Sequence, residues 1–256
     1  VETKLQITVS VGLSHNKFLA KLASSHQKPI GFTIIGKKDA ESFIDRLPVD
    51  KVWGIGPVLQ AKLKTSGINK IKDLKGLDQS MLEKKYGASG RKVWALANGI
   101  DLRSVEPSRK RKSISSENTF PRDVKTAEFL KKYLWKHSEI ISKHLKKMKL
   151  SGIAVTLKLK KSNFQTICIS YSTKTSISFA EDIFSIATRL MHKKLSEGPF
   201  RLIGITISKL QLQTCEQSSK DLFNQSRQRK IEAELAIDKI RSKFGETAIK
   251  KGLDLE

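Results

Sequence analysis

The chain has 256 residues, and 49 lysines and arginines against 25 aspartates and glutamates give a formal net charge of +24. That length allows one to three compact domains, and that charge favours a polyanionic partner, nucleic acid before any other. A membrane span is excluded, because no uninterrupted apolar stretch approaches the roughly 18 residues one requires. Cys168 and Cys215 form neither a CxxC pair nor a Cys/His cluster, which excludes a disulfide framework and a zinc site and fits a reducing cytoplasm.

In chain order, Leu5, Ile7, Val9 and Val11 alternate with Gln6, Thr8 and Ser10, the period of a strand that Gly12 closes. Phe18, Leu19, Leu22 and Ala23 recur at helical spacing until Lys28-Pro29-Ile30-Gly31 interrupts them, and Phe32 to Ile35 reads as a second strand. Short helices follow at Ala40 to Arg46, Val58 to Thr65, Ile71 to Leu74, Ser80 to Tyr86 and Arg91 to Ala97, punctuated by glycines. The apolar pattern then lapses into a basic linker, 105–112.

Beyond the linker the order is strand (Ser113 to Phe120), long amphipathic helix, strand (Ile153 to Lys160), strand (Gln165 to Tyr171), helix (Phe179 to Leu195) and strand (Leu202 to Leu210). The first helix would bury Leu130, Leu134, Ile141, Leu145 and Met148, and the second opens with Ser178 and Glu181 at capping-box spacing. The order β-α-β-β-α-β makes the chain α+β, with both helices on one face of an antiparallel four-stranded sheet. Alternation then turns Thr156, Lys158, Lys160, Thr166, Ser170, Thr206 and Ser208 away from the helices. Small hydroxyls and lysines with few acids suit phosphate oxygens without selecting bases, although any half-exposed sheet has a polar side.

The sharpest local motif is Val52-Trp53-Gly54-Ile55-Gly56-Pro57. Glycines at that spacing turn the backbone tightly and can present amides at the positive end of the next helix, a helix-hairpin-helix phosphate grip. A plain helix connection is the alternative. Lys17, Lys21 and Lys28, judged alone, are solvated lysines on a helix and its exit loop.

Three runs together carry a resemblance. SVGLSHNKFLAKLASSHQKPIG resembles the end of the palm of Y-family DNA polymerases of the DNA polymerase IV type, VWGIGPVLQAKL their thumb, and RKSISSENTF the first strand of their little finger. The resemblance covers nearly the whole chain in order. It implies a palm remnant at 1–36, a helical thumb at 37–104, a little finger at 113–212 and a tail at 213–256. It implies that Lys28, and more weakly Lys21, contacts the triphosphate of an incoming deoxynucleotide. Gly54, Ile55 and Gly56 would hold primer-template duplex backbone, and Ser113, Ser115 and Arg201 would contact strand phosphates beside the sheet residues above. In the tail, Asp221-Leu222-Phe223 resembles sliding-clamp-binding peptides, without their usual upstream Gln-Leu pair.

The family's metal-binding carboxylates, which hold two Mg2+ ions, lie upstream of the residue that matches Val1. The chain is therefore expected to be the DNA-gripping part of an error-prone translesion polymerase active in DNA repair, inactive by itself and holding no metal. The alternative is a non-catalytic DNA-binding protein built from the same modules. Asp45, Glu83, Glu139, Asp182 and Glu234 read as surface charge. Ser172 to Thr175 lacks an arginine found in many relatives, and Leu202 and Thr206 stand where some carry basic residues.

Overall fold

The computed structural model describes residues 1–213, 225–245 and 247–249. They form two compact units, Val1–Ser108 and Arg109–Glu256.

In the first unit, α1 (Glu2–Leu5) leads to β1 (Val11–Ser14), α2 (Lys17–His26) and β2 (Phe32–Ile35). The two strands pair in parallel, Val11 opposite Phe32 through Ser14 opposite Ile35. The strand expected at Leu5 to Val11 is thus displaced, and Gly12 lies inside it rather than at its end. The reason is a close approach: a methyl at Gly12 would overlap the Ala20 carbonyl oxygen and the Ser24 nitrogen, so α2 can lie on the strand only there. Among the described residues, positions 5–10 of that alternation have no strand beside them to pair with. Asn16 caps α2, accepting from the Leu19 amide at 2.9 Å, and Asp101 takes the Phe18 amide at 3.0 Å.

Five helices complete this unit: α3 (Ala40–Asp45), α4 (Pro57–Thr65), α5 (Lys72–Lys75), α6 (Gln79–Tyr86) and α7 (Ala88–Ala97). Asp78 accepts the Ser80 and Met81 amides and so starts α6. One core runs from Phe18 and Leu19 of α2 through Ile44, Val49, Leu63 and Leu74 to Val93 and Leu96.

The second unit contains β3 (Ser113–Val124), α8 (Ala127–Lys147), β4 (Leu150–Lys161), β5 (Thr166–Ile177), α9 (Ala180–His192) and β6 (Phe200–Leu212). The sheet order is β3-β6-β4-β5 and every neighbouring pair is antiparallel. Each strand-helix-strand crossover is therefore split by an intervening strand, which is the expected arrangement. Leu130, Leu134, Ile141 and Leu145 of α8 are fully buried against Val155, Leu157, Leu159, Ile203, Ile205 and Ile207. Met148 is half-buried at the end of α8. Among these apolar side chains His137 shares a 2.8 Å hydrogen bond with Ser116, and burial pushes its pKa down to about 4, leaving it neutral at physiological pH.

A last helix, α10 (Gln225–Phe244), corrects two expectations. Ser178 and Glu181 form no capping box. The first residue of α9, Ala180, donates its amide to both oxygens of Glu234 at 3.0 and 3.1 Å. Glu234, expected as surface charge, is 6% exposed and also accepts from Ser142 at 2.8 Å and Lys146 at 2.7 Å. Burial alone would raise its pKa, but Lys146, the Ala180 amide and Ser142 together hold it below the ordinary carboxylate value. The side of α10 that faces the unit is thus organised by a carboxylate, while Leu235 is 42% exposed.

Candidate nucleic-acid interfaces

The glycine hairpin joins a 3-10 turn at Val49–Lys51 to α4. Val52 and Ile55 are buried and anchor the loop in the core, whereas Gly54 adopts φ 99°, open to glycine but strained for other residues. Ile55 donates to the Val52 carbonyl at 3.2 Å, and its own carbonyl accepts from the Gln60 amide side chain at 2.8 Å. Gly56 is the N-cap residue, with extended backbone, no side-chain cap and nothing within 4 Å of where a Cβ would stand. The first turn of α4 is therefore open at its electropositive end. Lys92 of α7 supplies a cation, its Nζ 3.1 Å from the Cβ position of Gly54. Sequence reasoning missed Lys92, because nothing local links it to a glycine far upstream. Trp53, half-exposed, lies 5.3 Å below the Arg103 guanidinium.

The second candidate is the sheet face of the second unit that α8 and α9 leave open. In strand order β3, β6, β4, β5 its first two rows are Ser113, Ser208, Ala154 and Ser172, then Ser115, Thr206, Thr156 and Ser170. The next two are Glu117, Gly204, Lys158 and Cys168, then Thr119, Leu202, Lys160 and Thr166. Thr156 and Ser170 share a hydrogen bond of 2.7 Å, which uses one hydroxyl hydrogen and leaves the other. Ser113 and Ser115 are exposed, while Thr206, Lys158 and Lys160 are half-buried among neighbours on the face. Arg201 lies at the end of this face, its guanidinium on the ring of Phe164.

One feature of this face departs from expectation. Glu117 reaches across Gly204 to pair with Lys158 at 2.8 Å, so the central lysine already has an anionic partner. Only glycine leaves room for that crossing, since a Cβ on residue 204 would stand 2.5 Å from that of Glu117.

Lys21 and Lys28 are both exposed in the first unit, Lys21 on α2 and Lys28 in the loop that follows it, and neither has an ion pair among the described residues. Asp221, Leu222 and Phe223 lie outside the described residues. Among the described residues no group of three or more His, Cys, Asp or Glu is placed to hold a metal ion. Several carboxylates serve other partners: Glu83 pairs with Arg91, Asp101 with Arg103, Glu139 with Arg241 and Glu197 with Lys194, while Asp73 accepts the Asn69 and Lys70 amides. This donor set does not fit a two-metal centre. No helix among the described residues is long and apolar enough to cross a membrane.

Residues 111–222 match the impB/mucB/samB family C-terminal domain, and residues 37–68 match the IMS family HHH motif. The DNA polymerase IV of Brucella melitensis is 36% identical over 252 residues, 98% of this chain and 56% of the relative. That of Caulobacter vibrioides is 34% identical over 256 residues, 100% of this chain and 63% of the relative. A solved Y-family DNA polymerase chimera superposes with a TM-score of 0.66 at 26% identity, over 82% of this chain and 61% of the chimera. The chain thus spans about six-tenths of the length of these proteins.

Proposed function

The chain belongs to the Y-family DNA polymerases of the DNA polymerase IV type, and from that membership we propose that it is the DNA-holding carboxy-terminal portion of an error-prone translesion polymerase. The observation that carries this reading is a sheet face of hydroxyls and cations left open by its helices, in a chain that also bears an uncapped helix start with glycine at its mouth. Both features recognise phosphate without reading bases, as copying past damage demands.

In this reading the Gly54-Ile55-Gly56 hairpin holds the duplex backbone through the Gly54 and Gly56 amides, helped by Lys92, while the Ile55 amide stays on the Val52 carbonyl and fixes the loop. Ser113, Ser115, Thr156, Lys158, Lys160, Arg201 and Thr206 hold strand phosphates. Lys28, seconded by Lys21, meets the triphosphate of the incoming deoxynucleotide, and Asp221-Leu222-Phe223 engages a sliding clamp. In the whole protein, two magnesium ions would orient the primer hydroxyl and stabilise the leaving group. The carboxylates for them belong to a part of the family that this chain does not match. The setting is DNA repair in the cytoplasm, and the consequence of loose base selection is mutation.

The test is binding of a labelled primer-template by the 256-residue chain across a salt series. Log K should fall by about 0.9 per phosphate contact for each tenfold rise in salt, with little sequence preference. Gly56→Val places a side chain in open space, so the fold survives while backbone approach is blocked, and affinity should fall about tenfold. Unchanged affinity in that variant removes the hairpin from the proposal. Primer extension with magnesium should yield no incorporation by this chain alone, and incorporation would overturn the assignment of the chemistry to another segment.

A further inference from the structure

The open sheet face ends at the β4–β5 turn in a cluster that strand alternation does not explain. Phe164 donates its amide to the Lys161 carbonyl at 3.0 Å, and the Lys161 amide returns to the Gln165 carbonyl at 2.9 Å. The turn leaves Phe164 in the left-handed region, φ 66°, where glycine or asparagine is the usual choice and a bulky side chain costs on the order of 1–3 kcal/mol. Core burial does not offset that cost, since Phe164 is 62% exposed.

The ring touches charge instead. The Arg201 guanidinium lies 4.3 Å from its centroid and the Lys160 ammonium 5.0 Å. Lys160 arrives by alternation in the last row of the open face. Arg201 arrives through a bulge, because β6 sets Leu202 opposite Lys160 but Phe200 opposite Lys161. Neither cation has an ion pair among the described residues. Two cations drawn to one aromatic ring repel each other, and an anion set between them relieves that repulsion.

We propose that Phe164 is a positioning residue for DNA, its ring holding Arg201 and Lys160 side by side as a clamp on one backbone phosphate of the strand lying across the open face. The inference rests on the DNA-holding reading of that face, and it gives a strained, exposed aromatic a role that packing does not. The bases need not be read for this contact to form.

Phe164→Gly tests it, because glycine relaxes the left-handed backbone while removing the platform. In primer-template binding by the full chain, affinity should fall about three- to tenfold. The salt slope should shrink toward that of Arg201→Ala, and the thermal midpoint should hold or rise. Phe164→Trp, a better cation–π surface, should retain the affinity, and Phe164→Gly combined with Arg201→Ala should lose less than the two separate effects together. If Phe164→Gly leaves affinity and slope unchanged while Arg201→Ala weakens binding, the platform is overturned and the sheet-face reading stands. If neither variant changes binding, both fall. A drop in thermal midpoint without a change in affinity marks a hairpin-packing residue and overturns the proposal as well.

Discussion

The described residues form two sheets, each covered by helix on one face and open on the other, and the open faces are opposite in chemistry. On the parallel pair β1–β2 the uncovered side presents Val11, Leu13, Phe32 and Ile34, between 44% and 66% exposed, while Gly12, Ser14 and Thr33 turn toward α2. On the four-stranded sheet the uncovered side is mostly serine, threonine and lysine, with Leu202 its one leucine, and the isoleucines and leucines of the core are covered. Parallel strands are ordinarily covered on both faces, whereas an antiparallel sheet can leave one face to solvent. The two faces therefore differ in kind. The apolar one has the chemistry of an interior, suited to the further palm strands that the proposed whole protein would supply, and the polar one has the chemistry of a surface that meets water or a polyanion.

The largest effect that would sharpen this contrast is at Gly12. Gly12→Ala drives a methyl into the backbone of α2, which cannot yield without leaving the strand, and should destabilise the first unit by at least about 3 kcal/mol. Urea or thermal unfolding monitored by the unit's tryptophans reads this, and a loss under about 1 kcal/mol would mean that α2 is not seated on β1 as described. The open side should behave in the reverse way. Phe32→Thr with Ile34→Thr removes apolar surface that no described residue covers, so folding stability should change by no more than about 0.5 kcal/mol. A large loss of stability in that pair would break the comparison, because it would place both side chains in a core.

The second unit was the more legible of the two in the sequence. Its strands of 12 and 13 residues alternate over enough length to declare their faces, and α8 repeats its buried leucines and isoleucines over 21 residues. The strands of the first unit have four residues each. Alternation from Leu5 to Val11 is as regular as that of the true strand, and only the contact of Gly12 with α2 selects between them. Glu234 was unreadable for a related reason, since its partners Ser142 and Ala180 stand 92 and 54 positions away. The glycines of the hairpin could be read because their chemistry is local, and Lys92 could not. Phe164 had a visible place in a turn but no visible task, because its task depends on the β6 bulge that delivers Arg201.

Glu117 is the finest point at which the polar face can be tested, and it was hidden until the strand order β3-β6-β4-β5 set it one strand beyond Gly204 from Lys158. Both members of the pair are accessible to solvent, so Glu117→Gln should cost the fold no more than about 0.5 kcal/mol. The same change deletes the one carboxylate in the four rows and releases the Lys158 ammonium toward phosphate. Primer-template affinity should therefore rise about two- to threefold, with a salt slope steeper by close to one contact, while Lys158→Ala should move both quantities the other way. Tighter binding in Glu117→Gln would mean that the protein carries a built-in competitor for phosphate at the centre of the face, which holds its grip below the maximum. Weaker binding would instead mean that Glu117 aims Lys158 as Phe164 aims Arg201. The centre of the face would then be organised for contact, and its acid would belong to the interface.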